Sequence, residues 1–439
     1  MKKQNTRILI LLSFIITGIP GLAQEQKSSA EEAHGIEYGG GVRLYEPYTL
    51  QTRTQYRDLG IGPYDVIPSG QSAITSLAVS PEGNIYGGCT GEAANLFVFF
   101  PGYNFVFPLG TIPGHESINQ SLVFDSKGYL LIGTTLDMRK EYPVDKDIST
   151  GNNSAYKSVT IQIKREFQQY EGGHIYRYDP FSDNTGFHQR LFRINKPCPL
   201  QDLGIPIPHE GILTLIKDHN SDQLYGLSFP GAWLFRFDPG SGETSIITQT
   251  NSQIPLGSEL PHMSKCLIQD HQGNIYCNTY GGYLLKYSPG KDDLDTLRVR
   301  LPGIKGRWVF NAMECALLHP DGRIYGGTTD GYLFCFDPES EKMMNYGKPL
   351  IETKIRTMTL GKDGNIYGIG GEDRTGMSRL FQFDTRTHTF NDLGIVQVSH
   401  VPYQETTGLI FDAMVTGKDG SIYLGQSEYR SKLFIYIPY

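Results

Sequence analysis

A short two-strand motif recurs seven times along this chain, and its spacing constrains the fold more than any other feature. Each copy starts with a polar turn, continues into a strand of the form Gly-x-Ile-Tyr-Gly-Gly, and is followed by a strand of the form Leu-Phe-x-Phe-Asp-Pro. The copies read PEGNIYGG (81–88), SKGYLLIG (126–133), SDQLYGLS (221–228), HQGNIYCN (271–278), PDGRIYGG (320–327), KDGNIYGI (362–369) and KDGSIYLG (418–425). Repeats of about 40 to 50 residues with aromatic strands and turn residues indicate a β-propeller with four-stranded blades. Seven copies predict seven blades.

The two ends of the chain are predicted to share one blade. We name the strands of a blade A to D from the channel outward, with the two motif strands as B and C. The last repeat stops at its C strand, Leu433 to Ile437, whereas Thr52 to Gly60 has the Asp-Leu-Gly ending of other D strands. Pairing these two segments leaves no open sheet edge. The predicted fold is therefore all-β, a seven-bladed β-propeller of four-stranded antiparallel blades, closed by an N-terminal outer strand in the C-terminal blade.

The first residues have the pattern of a secretory signal. Lys2, Lys3 and Arg7 precede an apolar run, Ile8 to Ile16, and small residues follow up to Ala23. This pattern predicts cleavage after Ala23 and a secreted or periplasmic protein. No other stretch is long and apolar enough to span a membrane. The predicted divisions are a signal peptide (1–23), an N-terminal lead segment (24–51) and the propeller (52–439).

Charge and cysteine usage narrow the function classes. The formal net charge is −7 and the chain has no block of Lys or Arg, which excludes a nucleic-acid partner because such binding needs clustered cations. The cysteines fall mainly in strand positions and lack the close Cys/His pairs of zinc sites, so buried thiols are expected. Pairing of Cys266 with Cys277 is left open by the sequence. A monomer is expected.

Polar residues gather where each A strand is expected to begin, on the face that carries the D-to-A and B-to-C loops. That face surrounds the mouth of the central channel, where a rigid ring presents many loops to one cavity. The residues are Gln71, Ser72, His115, Glu116, His209, Glu210, His262, Lys265, Trp308, Asn311, Glu314, Lys354, Arg356, Gln404, Glu405 and Asp412. Their charges exceed what packing requires, which predicts a substrate-binding site.

Two B-to-C loops are longer than the rest. Blade 2 inserts Asp137 to Gly172, which contains Tyr156 and a strand-like run, Ser158 to Lys164, and blade 6 carries Arg374 in its loop. Long loops in compact domains are commonly functional. We expect a substrate-facing wall here, and a solvated excursion is the alternative.

Three histidines recur at equivalent places in consecutive blades: His115, His209 and His262. Three imidazoles on adjacent inner strands are suited to a zinc ion or a proton shuttle, although drift among repeats also explains them. A structural or catalytic divalent metal, zinc or calcium, is therefore a possible cofactor. The other histidines, His174 among them, are expected in outer strands or turns, away from the site.

An exported seven-bladed propeller with His115 at the mouth of blade 2, a tyrosine-bearing wall and Lys354 and Arg356 on the opposite blades resembles the propeller enzymes that degrade acidic polysaccharides. These are the ulvan lyases, the rhamnosyl-glucuronate lyases and the related rhamnosidases. The resemblance implies an acidic polysaccharide or oligosaccharide as partner and β-elimination as the reaction. Lys354 or Arg356 would neutralise the uronate carboxylate, His115 or His209 would be the base and Tyr176 the acid. Thr134 and Thr135 stand where the lyases have a second histidine.

Two other functions are left open by the sequence. Glycoside hydrolysis would require paired carboxylates or an activated water, for which Glu116, Glu210, Glu314 and Glu405 are available. A non-catalytic propeller would use the same face to bind a glycan or a protein, since one fold serves many functions.

Overall fold

The computed structural model describes residues 54–58, 73–103, 105–140, 154–182, 196–251, 263–307, 311–371, 378–400, 404–427 and 432–438. They form a ring of seven four-stranded antiparallel sheets, which confirms the predicted seven-bladed β-propeller. The predicted signal peptide and lead segment lie outside the described residues.

The strands follow one another in blade order. Blade 1 contains β2 (Ala73–Val79), β3 (Ile85–Thr90), β4 (Ala94–Phe100) and β5 (Phe105–Ile112), and blade 2 contains β6 (Leu122–Phe124), β7 (Leu130–Gly133), β8 (Ile175–Tyr178) and β9 (Gln201–Asp202). Blade 3 contains β10 (Gly211–Lys217), β11 (Leu224–Phe229), β12 (Trp233–Phe237) and β13 (Thr244–Gln249), and blade 4 contains β14 (Ile268–Gln269), β15 (Ile275–Asn278), β16 (Tyr283–Ser288) and β17 (Asp293–Arg300). Blade 5 contains β18 (Met313–Leu318), β19 (Ile324–Thr328), β20 (Leu333–Asp337) and β21 (Lys342–Gly347), and blade 6 contains β22 (Ile355–Leu360), β23 (Ile366–Gly370), β24 (Arg379–Asp384) and β25 (Thr389–Ile395). A hairpin of β26 (Gln397–His400) and β27 (Gln404–Thr407) follows blade 6. Blade 7 contains β28 (Phe411–Thr416), β29 (Ile422–Gln426) and β30 (Lys432–Tyr436), and its outer strand is β1 (Thr54–Asp58).

Blade 7 is completed by the N-terminal strand, as predicted. β1 runs antiparallel to β30, with Thr54 opposite Tyr436 and Asp58 opposite Lys432. Across the junction with blade 1, Gly425 of β29 packs against Ile74 of β2. The ring is therefore closed by backbone hydrogen bonds in blade 7 and by apolar packing between blades 7 and 1.

The motif glycine is needed because an aromatic ring lies over it. In four blades the residue directly opposite it on strand C is phenylalanine, and a Cβ atom on the glycine would stand 2.0 to 2.3 Å from a carbon of that ring. The pairs are Gly87 with Phe97, Gly226 with Phe235, Gly326 with Phe334 and Gly368 with Phe381. All four phenylalanines are fully buried. The repeat thus conserves a ring-on-backbone contact that a larger residue on strand B would displace.

The motif tyrosine links strand B to its preceding turn. Its ring is buried between blades while its hydroxyl donates a hydrogen bond to the aspartate of the turn, so a buried polar group is satisfied. The pairs are Tyr276 with Asp270 (2.9 Å), Tyr325 with Asp321 (3.3 Å), Tyr367 with Asp363 (2.9 Å) and Tyr423 with Asp419 (2.9 Å). This contact explains why an acidic turn and a tyrosine recur together.

The blade 2 insertion contains a helix, α1 (Ser154–Gln169), so the prediction of a strand-like run from Ser158 to Lys164 was wrong. The run is rich in β-branched residues, which suggested a strand. Val159, Ile163 and Phe167 nevertheless recur at the four-residue spacing of one helical face, and they pack on Phe229 of blade 3. Tertiary packing of this face decides the conformation. No helix in the described part of the chain has the length and hydropathy to cross a membrane.

All six cysteines are buried free thiols, as expected, and Cys266 and Cys277 are not bonded to each other. Burial raises the pKa of Cys277 to about 12, so the thiol stays protonated and packs as an apolar group.

Placing a methyl group under Phe334 should destabilise the ring. Gly326→Ala is expected to lower the free energy of unfolding by about 1 to 3 kcal/mol, because Phe334 is fully buried and must shift to admit the new atom. Gly290→Ala is the matched control, since no atom lies within 4 Å of a Cβ placed there. Urea unfolding of both variants measures the difference. Equal stability of the two would contradict the packing role of the motif glycine.

Candidate functional site

Five inner strands carry a β-bulge at the same place. The register skips one residue near the start of β2, β10, β18, β22 and β28, and the skipped residue faces the channel cavity in each case. These residues are Thr75, Leu213, Glu314, Arg356 and Asp412. A bulge leaves one residue out of the ladder and redirects its side chain, a device common beside functional sites.

The channel cavity has a volume of about 650 Å³. Besides the bulge residues, it is lined by Asn119, Gln120, Asp137, Met138, Arg139, Phe229, Met263, Lys265, Lys354, Ile410 and Ser427. Inner strands and loops from all around the ring contribute, so the cavity lies on the ring axis at the face of the B-to-C loops. Its size is that of a small-molecule site.

Most of its charges are paired with one another. Lys265 Nζ lies 2.8 and 2.7 Å from the two carboxylate oxygens of Glu314. Arg356 donates from Nε to Asp412 Oδ1 at 2.8 Å, and its terminal nitrogen lies 2.7 Å from the same oxygen. These pairs join blade 4 to blade 5 and blade 6 to blade 7. They hold the charged groups in fixed positions before any ligand arrives.

Both carboxylates are ionised at neutral pH. Burial alone would raise the pKa of Glu314, but Lys265 and Lys354 outweigh it and lower that pKa to about 2. Burial also opposes ionisation of Asp412, and the Arg356 guanidinium lowers the pKa of Asp412 below its usual range. Neither group can therefore act as the protonated acid that glycoside hydrolysis requires.

Lys354 is held differently from the other cations. Its backbone has a φ of 70°, in the left-handed region that lysine rarely adopts. No carboxylate of the described residues lies within ion-pair distance of its ammonium, although its charge lowers the pKa of both Glu314 and Asp412. Gln120, also in the cavity lining, has a φ of 35°. Such strain tends to be found at functional sites.

A second group of polar residues lies on blade 2. His115 is buried, with Nδ1 at 2.7 Å from the Tyr170 hydroxyl and Nε2 at 3.0 Å from the Tyr176 hydroxyl. A neutral imidazole has one N–H and one bare nitrogen, so one phenol accepts a hydrogen bond from His115 and the other donates one. With His174, described next, these residues form what we call the imidazole cluster: His115, Tyr170, His174 and Tyr176.

His174 belongs to this cluster, although the sequence placed it away from the site. Its ring stacks on Tyr176 with centroids 5.3 Å apart, and its Nδ1 lies 2.9 Å from Asp202. Thr134 holds its backbone, because the Thr134 Oγ1 accepts from the His174 N–H at 2.9 Å. The signal that was missed is the His-Ile-Tyr spacing, which puts His174 and Tyr176 on the same face of one strand.

The protonation states of the cluster follow from burial. Burial, and secondarily His174, lowers the pKa of His115 to about 4, while Asp202 opposes this shift weakly. Burial raises the pKa of Tyr176 to about 12 and raises the pKa of Tyr170 further. At neutral pH the cluster therefore contains a neutral His115 between two protonated phenols, an arrangement that can pass a proton.

Four other predicted site residues are engaged within the protein. The exposed His209 donates from Nδ1 to the Tyr170 carbonyl at 2.8 Å. Glu210 accepts from the Ser228 hydroxyl (2.8 Å) and the Gly231 N–H (2.7 Å), Glu116 accepts from the Asp137 N–H (2.9 Å) and pairs with Lys140 (2.7 Å), and buried Asn311 donates to the Pro302 carbonyl (2.8 Å). His262, Trp308, Arg374 and the side chain of Tyr156 lie outside the described residues.

The described residues do not support a three-histidine zinc site. Both ring nitrogens of His115 are occupied by tyrosine hydroxyls. Among the residues that the structure describes, no group of three or more His, Cys, Asp or Glu side chains is arranged to hold a metal ion.

The cavity and the imidazole cluster are distinct. None of the four cluster residues is among the described residues that line the cavity. Glu116, next to His115, connects the two, because it accepts from the backbone of Asp137 in the cavity wall. The structure thus groups Lys354 and Arg356 in one place and His115 and Tyr176 in another.

Comparison with known proteins identifies the fold class. No protein-family profile and no curated sequence matches the chain. A streptogramin B lyase structure has a TM-score of 0.56 at 11% identity, covering 89% of this chain and 99% of that chain. Virginiamycin B lyase from Staphylococcus aureus has a TM-score of 0.55 at 9% identity, covering 88% and 99%. The extracellular domain assigned to a one component system of B. thetaiotaomicron has a TM-score of 0.51 at 15% identity, covering 87% of this chain and 40% of that chain. At these identities the likeness establishes the propeller fold alone.

Acidification should destabilise the protein through His115. Its pKa is about 4 when folded, against 6.5 ordinarily, so between these values the unfolded chain binds the proton and the folded chain does not. The contribution of His115 to the free energy of unfolding is therefore complete above pH 6.5. It is lost as the pH falls to about 4, a decrease of roughly 3 kcal/mol.

Urea unfolding at pH 7, 5.5 and 4.5 measures this contribution. His115→Gln should lose less stability with acid than the parent does. Because the carboxylates titrate in both proteins, the difference between the two curves reports on His115. A His115→Gln curve parallel to the parent curve would refute the assignment.

Proposed function

We propose that this protein is exported and binds a carboxylate-bearing saccharide, a uronic acid unit of an acidic glycan, in the channel cavity. The observation that carries the proposal is a local surplus of positive charge. The described cavity lining has four cations, Arg139, Lys265, Lys354 and Arg356, and three carboxylates, Asp137, Glu314 and Asp412. The whole chain has a net charge of −7, so this surplus runs against the overall charge.

Lys354 is the cation most suited to the ligand carboxylate. Arg356 is already bonded to Asp412, Lys265 to Glu314 and Arg139 to Asp137. A carboxylate that took the buried Arg356 would leave the half-buried Asp412 without its partner, which is unfavourable for a charge that is partly removed from water. Binding to Lys354 leaves all three internal pairs intact.

Export is supported by the basic, apolar and small residues at the start of the sequence, which match a signal cleaved after Ala23. An extracellular domain among the structural neighbours is consistent with such a location.

Cleavage of the glycan by β-elimination is the second candidate function, and the hydrogen bond between His115 and Tyr176 favours it. In this reaction a base removes the proton from C5 of the uronate, the C4–O4 bond breaks, a C4–C5 double bond forms and an acid protonates O4. His174, oriented through Nδ1 by Asp202, would take the C5 proton. Tyr176 would protonate O4, and a hydrogen bond from the neutral His115 would stabilise the phenolate that this leaves. The proton that His174 took from C5 would then return to Tyr176 through solvent water, which resets both groups.

The separation of the cavity from the imidazole cluster sets the length of such a substrate. One uronate in the cavity and the cleaved sugar at the cluster would be different units of one chain. Monosaccharides should therefore bind without being cleaved. A non-catalytic glycan-binding propeller is the remaining reading if no chain length is cleaved.

Binding should depend on Lys354. Lys354→Met is expected to weaken binding of uronate oligosaccharides by tenfold or more, because about 2 to 5 kcal/mol is lost when one partner of a desolvated charge contact is removed. Lys342→Met, an exposed lysine in β21, is the matched control. Titration calorimetry measures both. Unchanged affinity in Lys354→Met would exclude the cavity as the site.

A second variant separates binding from stability. Lys354→Gly also removes the ammonium, but glycine suits the left-handed backbone at this position. This variant should bind the ligand as weakly as Lys354→Met, while its free energy of unfolding should be higher than that of Lys354→Met by about 1 kcal/mol. A binding loss confined to the less stable variant would point to a structural cause.

Cleavage should depend on Tyr176. With a panel of uronate polysaccharides, elimination produces both new reducing ends and the absorbance of an unsaturated uronate, whereas hydrolysis produces reducing ends alone. Tyr176→Phe is expected to lower the rate by roughly a hundredfold or more, since it removes the proton donor. Tyr103→Phe, at a tyrosine that is 83% exposed, is the control. Reducing ends without absorbance would reject elimination, and no product from any glycan would leave binding as the function.

A further inference from the structure

The channel cavity has two unlike walls. Met138, Leu213, Phe229 and Met263, from blades 2 to 4, form an apolar wall. Glu314, Lys354, Arg356 and Asp412, from blades 5 to 7, form a charged wall. In a seven-membered ring these two sets of blades lie on opposite sides of the axis.

The two cations that blades 2 and 4 contribute to the cavity lining, Arg139 and Lys265, both contact blades of the charged wall, and Asp137 of the blade 2 loop pairs with Arg139. Arg139 of the blade 2 loop donates to the Ser427 carbonyl of blade 7 at 2.8 Å, and Lys265 of blade 4 binds Glu314 of blade 5. These contacts hold their charged ends toward the charged wall and away from the apolar one.

The apolar wall is supported from behind. Phe229 contacts Phe167 of α1 edge to face, with ring centroids 5.3 Å apart. Met138 and Phe229 are half-buried and pack against the core of blades 3 and 4. The helix of the blade 2 insertion therefore fixes the wall, so the apolar surface is a built part of the cavity.

Charge pairing limits the ligand to one negative charge in the cavity. Three of the four cations in the described cavity lining are paired with a carboxylate. The fourth, Lys354, has no carboxylate partner among the described residues. A second carboxylate would have to compete with Asp412 for the buried Arg356 or with the buried Glu314 for Lys265, and breaking either pair leaves a charge without its partner. Arg139, which is exposed, is held by Asp137 and by the Ser427 carbonyl.

We infer that the cavity takes a monocarboxylate whose opposite side is apolar, that is, a uronic acid linked to an aryl or alkyl group. This inference rests on the proposed binding of a uronate at Lys354 and adds the substrate class. The carboxylate binds at Lys354, and the apolar group lies against Met138 and Phe229. A cavity of about 650 Å³ has room for one sugar and one six-membered aromatic ring.

Three ligands test this inference by calorimetry with the full-length mature protein. Phenyl β-glucuronide carries both groups, methyl β-glucuronide lacks the ring, and phenyl β-glucoside lacks the carboxylate. Phenyl β-glucuronide should bind at least tenfold more tightly than either of the others, because each lacks one of the two contacts.

Two variants assign the contacts. Met138→Ala should reduce the preference for phenyl over methyl β-glucuronide several-fold without changing the preference for glucuronide over glucoside. Lys354→Met should do the reverse. Met138 lies in a loop, and Phe229→Ala gives a second measurement at the same wall if Met138→Ala fails to fold.

The outcomes distinguish the two proposals. Equal affinity for phenyl and methyl β-glucuronide, with no binding of the glucoside, overturns the apolar contact and leaves the uronate site standing. Equal affinity for phenyl β-glucuronide and phenyl β-glucoside overturns the uronate site itself. Absence of binding by all three ligands overturns both.

Discussion

The hydrogen bonding of β1 to β30 is the contact on which the remaining structure depends. Without it blade 7 would be a three-stranded sheet with an open edge. Side-chain contacts would still join blade 7 to blade 1, such as Ile74 against Gly425 and the hydrogen bond that Lys418 donates to the Pro81 carbonyl. Thr75 of blade 1 and Asp412 of blade 7 line the same cavity from the two sides of this junction. The cavity is therefore complete only when strands from the two ends of the described chain are paired.

Within the closed ring, the site is built from departures from the repeat. The strands that form the blades are regular, but bulges in the inner strands turn Glu314, Arg356 and Asp412 toward the axis. Neighbouring blades supply partners of opposite charge, so each charge is compensated by the next blade. A rigid ring makes such pairing possible because adjacent inner strands keep a constant distance. Lys354 departs from this pattern, both in its backbone and in its lack of a carboxylate partner among the described residues.

The sequence predicted what the repeat controls. Motif spacing was sufficient for seven blades and for the pairing of Thr54–Asp58 with the last C strand, since strand alternation and turn residues are local signals. The gathering of Lys265, Glu314, Arg356 and Asp412 at the channel was also predictable, because equivalent repeat positions occupy equivalent places in a ring.

Features that depend on tertiary contacts were not predictable. α1 forms because one face of it packs on Phe229, which a single-segment pattern does not reveal. His174 joins the imidazole cluster because blade 2 places β8 beside His115, and Thr134, at the position expected for a histidine, holds the backbone of His174 instead.

The antiparallel pairing in blade 7 also fixes the orientation of the molecule relative to anything attached to it. Thr54 begins β1 directly opposite Tyr436, near the end of β30, so both chain ends leave the ring at the same point. That point is on the face of the A-to-B and C-to-D turns, and the cavity opens on the other face. A group attached directly at Thr54 or at Tyr436 would thus lie on the face of the ring opposite the cavity.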